Sequence, residues 1–273
     1  MSLRLTYVGE TKVPVEIEGL TPDWASDRSI AQVERFEIYH GNRKIPLAEM
    51  FRISGDATDK RFEFEGDLSG VHWIGAHMQS GSIHVEGPAG RHVGSEMRGG
   101  EIHVHGNTDG WAGAEMHGGY LRIHGNAGHL IGAAYRGSAK GMTGGTIVVD
   151  GNVGNEVGHT MRRGLIAIGG TAGDLIGFNM LAGTVLVFGD CGIRPGAGMR
   201  RGTIAMLGPN RTALLPSFRF ATTLHPQVMR ILLREVKVRG LKIDDTLLRS
   251  EFDIYHGDLV SIGRGEVLMR HSV

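Results

Sequence analysis

The chain has 273 residues, and its 29 basic and 29 acidic side chains balance to zero net charge. No charge excess draws it to nucleic acid or to an anionic membrane surface, and no apolar run is long enough to span a bilayer. A single cysteine, Cys191, excludes an internal disulfide and any thiolate-ligated iron–sulfur cluster or zinc finger built from this chain alone.

Residues 1–60 carry no repeat. They show short alternating strands, Leu3–Val8 and Val13–Ile17, and a helix is expected near Ile45–Phe51. We read this segment as an N-terminal, strand-rich cap. It lacks a basic start followed by an apolar signal segment, so a cytoplasmic location is expected.

Residues 61–210 repeat. Phe62 and Phe64 open a first, irregular coil, after which Met78, Met97, Met116, Met142, Met161, Met180 and Met199 follow at intervals of 19, 19, 26, 19, 19 and 19 residues. Branched apolar pairs keep the same beat: Ile83/Val85, Ile102/Val104, Leu121/Ile123, Ile147/Val149, Ile166/Ile168, Val185/Val187 and Ile204/Met206. One insertion of seven residues, within Arg136–Met142, explains both irregular steps. Apolar residues spaced by two point to one side of a strand, while the glycines between strand and Met supply the positive φ values of tight corners. The 44 glycines follow no Gly-X-Y register, which excludes collagen, and the Leu-x-x-Leu-x-Leu spacing of leucine-rich repeats is missing. A coil this short buries its apolar pair only against the coils above and below it. The expected fold is an all-β solenoid, a right-handed β-helix of about seven 19-residue coils, with the Met column as a corner stack.

The outward columns change character along the axis. One runs His84, His103, Arg122, Val148, Ala167, Leu186, Ala205; the other runs Glu86, His105, His124, Asp150, Gly169, Phe188, Leu207. An apolar outer face on the late coils requires a cover. Residues 211–273 form the tail, and Pro226–Val238 has helical spacing of Val228, Ile231, Leu232 and Val236, with Gly240 after its end. This helix is expected to pack on or cap the late coils.

Chemistry on this chain is sparse. Glu86, His105, His124 and Asp150 lie on successive coils about 4.8 Å apart, wide for tetrahedral ligation, and read as a solvated face with no metal assigned. Cys191 sits in a Gly-Asp-Cys-Gly turn with no base at a recognisable spacing, and no phosphate-binding loop is present. Asn107, Asn126 and Asn152 read as a turn ladder, each bonding its own backbone. The sharper feature is a basic edge beside the Met column, comprising Arg98, His117, Arg136, Arg162, Arg163, Arg200 and Arg201. Stacked like charges favour an anionic ligand or partner, and Arg162, Arg163, Arg200 and Arg201 are singled out for that contact. No catalytic residue is assigned.

The coils with Gly-x-x-x-Gly-x-x-Met corners, the strand-rich cap, Leu214-Leu-Pro-Ser-Phe218 and Tyr255-His-Gly-Asp-Leu259 together resemble the C subunit of formylmethanofuran dehydrogenase, and in particular the C subunit of the bacterial formyltransferase/hydrolase complex. The resemblance implies a non-catalytic structural subunit of an enzyme complex in one-carbon (formaldehyde) oxidation. It implies partners as well: an amidohydrolase-like subunit with a metal site, a formyltransferase subunit and a dehydrogenase-B-like subunit. Those partners would move formyl from tetrahydromethanopterin through a methanofuran-type carrier to formate. No cofactor would be bound wholly by this chain, and the carrier's glutamate-rich tail would be an anion for the Arg edge. Two other readings stand beside this one: an independent β-helix enzyme or glycan-binding protein, and a detached module similar to the C-terminal glycine-rich domain of the glutamate synthase large subunit. The scarcity of aromatic residues (6%) and of outward acids disfavours a glycan site; the cap and tail disfavour the detached module.

Overall fold

The computed structural model describes residues 2–271. The cap comprises β1 (Leu3–Tyr7), β2 (Val15–Glu16), α1 (Pro22–Ala25), α2 (Ile30–Glu34), β3 (Glu37–His40), β4 (Arg43–Pro46) and β5 (Phe51–Gly55). The repeat region follows with β6 (Arg61–Glu65), β7 (Val71–His72), β8 (Ser82–Val85), β9 (Glu101–Val104), β10 (Tyr120–Ile123), β11 (Thr146–Val149), β12 (Leu165–Ile168), β13 (Thr184–Val187) and β14 (Arg201–Met206). The tail adds β15 (Arg219–Leu224), α3 (Gln227–Val238), β16 (Phe252–Gly257) and β17 (Arg264–Arg270).

The expected columns are the observed register. Strand pairs from β6 through β14 are parallel, with Ile83 opposite Ile102, Leu121 opposite Ile147, and Val185 opposite Ile204. Tyr120 pairs with Thr146 across 26 residues as its neighbours pair across 19, so the insertion leaves the ladder unchanged. The inward Ile/Val columns are almost wholly buried, and so are all seven corner methionines. Two further ladders link the coils away from the strands. Single parallel bridges run Leu68, Ala89, Thr108, Ala127, Val153, Ala172, Cys191, and Gly94, Gly113, Gly132, Gly158, Gly177 and Gly196 each donate an N–H to the preceding coil. This thirteen-stranded, mostly parallel sheet is compatible with a β-helix or solenoid. The corner glycines are required by space as well as by φ: at Gly113 (φ +63°) a Cβ would stand 2.4 Å from Ile147 Cδ1, and at Gly100 (φ +82°) 2.3 Å from Met78 Cε.

Both ends extend the sheet. In the cap, β1 lies parallel to β6 and antiparallel to β5, and β2 joins β7 in a second, four-stranded sheet. The helix expected near Ile45–Phe51 is a single 3-10 turn, Leu47–Glu49, because Pro46 ends a strand just before it and Phe51 begins one just after. Two short helices were not anticipated; α1 is capped by Thr21, whose hydroxyl accepts from Trp24 N at 3.3 Å, and α2 opens with a Ser29/Gln32 capping box. At the other end β17 pairs parallel with β14, and β16 and β15 continue antiparallel outward.

The tail helix forms where the spacing places it, but its buried face is rotated: of the expected residues Val236 is buried and Leu232 partly so, while Val228 and Ile231 are not. Met229, Leu233 and Val236 face inward, whereas Val228 and Ile231 are 55% and 67% exposed. The buried set repeats at i, i+4 and i+7, a narrower stripe than the sequence suggested, because Leu241, Leu247 and Phe252 of the tail complete the contact. These residues pack on Val148, Leu165, Ala167, Leu186, Ala205 and Leu207. The apolar outer face of the late coils is therefore covered from within the chain. Replacing Leu233 by Ala is expected to cost about 2–5 kcal/mol of stability and Ile231→Ala less than about 0.5 kcal/mol, as read by urea denaturation. Equal costs would contradict this packing.

Candidate functional site

The residue after each corner Met from Met97 onward donates its backbone N–H to the Met carbonyl one coil back: Arg98 to Met78, His117 to Met97, Thr143 to Met116, Arg162 to Met142, Leu181 to Met161 and Arg200 to Met180, all at 2.7–2.8 Å. The corner column therefore reads Arg98, His117, Thr143, Arg162, Leu181, Arg200. Arg136 is not part of it. It lies on the insertion, and Thr143 takes the column position once the chain has returned to register. Arg162 and Arg200 sit two coils apart, roughly 9–10 Å, with the partly exposed side chain of Leu181 between them. That separation is about one Debye length and relieves the repulsion that an unbroken stack would carry. In the next column Arg163, Ala182 and Arg201 follow one another, and Arg201 stands opposite Arg264 of β17. All four singled-out arginines are exposed, and among the described residues none has a hydrogen-bonded or ion-paired side-chain partner.

The insertion builds one wall of a cleft over this edge. Residues 136–140 are exposed, and the bonds from Gly141 N to Thr160 O and from Met142 N to Gly132 O, both 3.0 Å, bring the chain back. The opposite wall is the turn after β16. Between them lies a cleft of about 690 Å³, lined among others by Lys140, Thr160, Asn179, Leu181, Arg200 and Val260. Its carboxylate, Asp258, is 5% exposed and structural: it accepts from Gly198 N and Val260 N, each at 3.0 Å. Burial works to raise its pKa, but bonds from Ser217, Gly198 and Val260 outweigh it and hold the carboxyl below its ordinary value.

The early outer face is a histidine grid. His84 stacks on His103 at 5.1 Å and His105 on His124 at 4.8 Å, with ring planes parallel within 4°. Asp150 ends the grid, bound by Arg122 Nη2 at 2.9 Å and by His124 Nδ1 at 3.0 Å. Arg122 also reaches the carbonyls of Arg239 and Gly240, fastening the C-terminus of α3 to β10. Sequence reasoning missed that role. The asparagine ladder is real but differently wired: Asn107 Oδ1 accepts from Asn126 N, Asn126 Oδ1 from Asn152 N and Asn152 Oδ1 from Thr171 N, each at 2.8 Å. Each side chain thus bonds the next coil rather than its own backbone, because that neighbour is only one strand spacing away. Burial pushes the Cys191 thiol up to about 12, which keeps it protonated and non-nucleophilic.

The seven extra residues are 135–141 and not 136–142, because Ala134 N still bonds the next coil at His159 O and Met142 has already returned to register; Tyr135, the first of them, folds back over earlier coils. Its ring lies 5.3 Å from Trp111 and 5.7 Å from His92, and His92 stacks on Trp73 at 4.0 Å. Lys140 and Val260 are also functional candidates that sequence reasoning did not single out. Only the broken 19-residue period pointed toward Lys140; nothing in the pattern could bring the distant Val260 turn to the same edge.

No family model matches the chain. Over 91 residues it is 41% identical to the C subunit of the molybdenum-containing formylmethanofuran dehydrogenase 1 of Methanothermobacter marburgensis. Over 93 residues it is 38% identical to the C subunit of the tungsten-containing formylmethanofuran dehydrogenase 2 of Methanothermobacter thermautotrophicus. These matches span 33% of this chain, and 23% and 34% of the respective relatives. The structure superimposes on a chain in the crystal structure of the formyltransferase/hydrolase complex (FhcABCD) from Methylorubrum extorquens with methylofuran, at a TM-score of 0.90 and 32% identity, covering 98% of this chain and 100% of that one. The chain belongs to the family of formylmethanofuran dehydrogenase C subunits. Among the described residues of this family member, no three His, Cys, Asp or Glu groups converge as a metal site, and no helix is long and apolar enough to cross a membrane.

Burial, then the positive charges of His72 and Arg91, push the pKa of His92 down from 6.5 to about 4. The unfolded chain takes up this proton near 6.5 and the folded chain only near 4. Stability is therefore lost as pH falls across that window and levels off below it. His92→Phe preserves the stack and is expected to give a shallower loss of urea midpoint between about pH 6.5 and 4. Parallel profiles for the two proteins would contradict this.

Proposed function

We propose that this chain is a non-catalytic structural subunit of a formyltransferase/hydrolase complex, which carries formyl from tetrahydromethanopterin through a methanofuran-type carrier to formate in one-carbon oxidation. The full-length likeness to a chain of the FhcABCD complex carries this reading. The lining of the cleft supports it: a structurally committed carboxylate and unpaired cations provide binding groups without a nucleophile poised beside a base. Carrier, pterin and metal chemistry would reside in amidohydrolase-like, formyltransferase and dehydrogenase-B-like partners, in the cytoplasm.

The architecture that fits this role is a right-handed β-helix of about seven coils over 61–210, closed by the cap 1–60 and the tail 211–273. Coil-to-coil bonds on the strand side, in the bridge ladder and in the glycine ladder support a closed cross-section. A rigid stack of this kind holds partners at fixed spacing. Arg162, Arg163, Arg200 and Arg201 would contact an anion, either the carrier's tail or an acidic partner surface.

Purification of the tagged chain from its own cells is expected to retain amidohydrolase-like and formyltransferase-like subunits in fixed ratio; a lone, stable chain would refute the assignment. Substituting Gln at all four arginines is expected to weaken carrier binding or subunit retention about tenfold, with salt mimicking the effect, because each exposed ion pair contributes up to about 1 kcal/mol. Unchanged carrier affinity with an unchanged subunit ratio would remove the contact.

A further inference from the structure

The Arg edge is not purely cationic, and its apolar part identifies its occupant. Leu181 lies between Arg162 and Arg200 in the corner column, and the turn across the cleft presents Leu259, Val260 and Ile262 at 52%, 87% and 52% exposure. Three branched apolar side chains within four residues of one turn form a patch that water does not favour. The turn is held in shape from within. Leu259 N donates to Ser217 O at 3.0 Å, Val260 N to Asp258 Oδ1 at 3.0 Å, Ser261 N to Asp258 O at 3.0 Å and Gly263 N to Asp258 O at 3.1 Å. An apolar tip fixed in this way loses little conformational entropy on contact.

The cleft's uncommitted charges are cationic. Lys140 and Arg200 line it and Arg162 follows on the same corner column, whereas the one lining carboxylate, Asp258, is taken up by the backbone N–H groups of Gly198 and Val260. The insertion that supplies Lys140 is not needed for coil closure, since the strands on either side of it remain in register. A purely polyanionic ligand would use the cations and leave Leu181, Leu259, Val260 and Ile262 in water. An uncharged apolar peptide would leave the cations unpaired.

We propose that this cleft seats an acidic, apolar-tipped segment of another polypeptide of the assembly, whose carboxylates pair with Arg162, Arg200 and Lys140 and whose apolar residue packs between Leu181 and Val260. The proposal rests on the scaffold reading above and names the surface through which the scaffold holds a partner. Burying the apolar residue anchors the segment, and the cations fix its register and steer its approach.

The test co-expresses the full chain with the other subunits of its complex and compares the wild type with V260D/I262D, R162E/R200E and, as a control on the same edge outside the cleft, R98E. Because the altered side chains are exposed, circular dichroism and thermal unfolding of each isolated variant are expected to match the wild type. Both cleft variants should lose the same partner subunit, with apparent affinity lowered at least about tenfold. R98E should retain it, and rising salt should weaken the wild-type contact. Full retention of every subunit by V260D/I262D would overturn the proposal. So would binding of a short polyglutamate peptide that R162E/R200E abolishes and V260D/I262D leaves intact, which would make the edge a polyanion site. If the wild-type chain itself recovers no partner, the scaffold reading fails first.

Discussion

Every other feature depends on one constraint: each coil must fit against a copy of its own geometry one strand spacing away. A 19-residue coil has no room for a core of its own, so Ile102 is buried by Ile83 and Leu121 as much as by anything within its own turn. The constraint reaches the corners. Gly113 lies where a Cβ would strike the Ile147 side chain of the next coil, and the flexible Met beside it fills the space that remains. It also explains how seven extra residues are absorbed without harm. A detour that leaves and rejoins the corner, as 135–141 does, changes nothing in the strands that must match.

What the constraint leaves free is the outside, and there the coils differ. The late outer face is apolar and is sealed by α3, which Arg122 fastens by capping its terminal carbonyls while pairing with Asp150. The early outer face is a stacked histidine grid. The remaining variable surface is the corner with its cations, its insertion and its apolar turn. A uniform interior with a differentiated exterior suits a protein whose work is holding others in place.

The sequence displays what recurs and conceals what does not. Period, columns and burial are legible because one residue pattern is repeated seven times, so each coil corroborates the next. The tail helix is legible from its periodicity, yet its buried face is not: Val228 and Ile231 look inward on a wheel, while Met229 and Leu233 are the residues that meet Leu186 and Leu207. Arg136 seemed to continue the basic edge because it lies near the proper spacing, and it leaves that edge because the insertion begins at Tyr135. The strands β15–β17 escaped notice since they occur once, and only β17 joins the repeat, pairing with β14 across more than sixty residues. The Asp258 turn is brought to the corner by that same non-local pairing, which no local pattern encodes.

The most direct test of whether the varied corner, and not the repeated body, makes the assembly contacts is amide hydrogen exchange on the chain alone and within its purified complex. Assembly should add protection at 136–141, 179–181, 198–201 and 258–263, while the Ile/Val strands, already slow to exchange, stay as they are. Protection appearing on the histidine face instead, with the corner unchanged, would contradict the account.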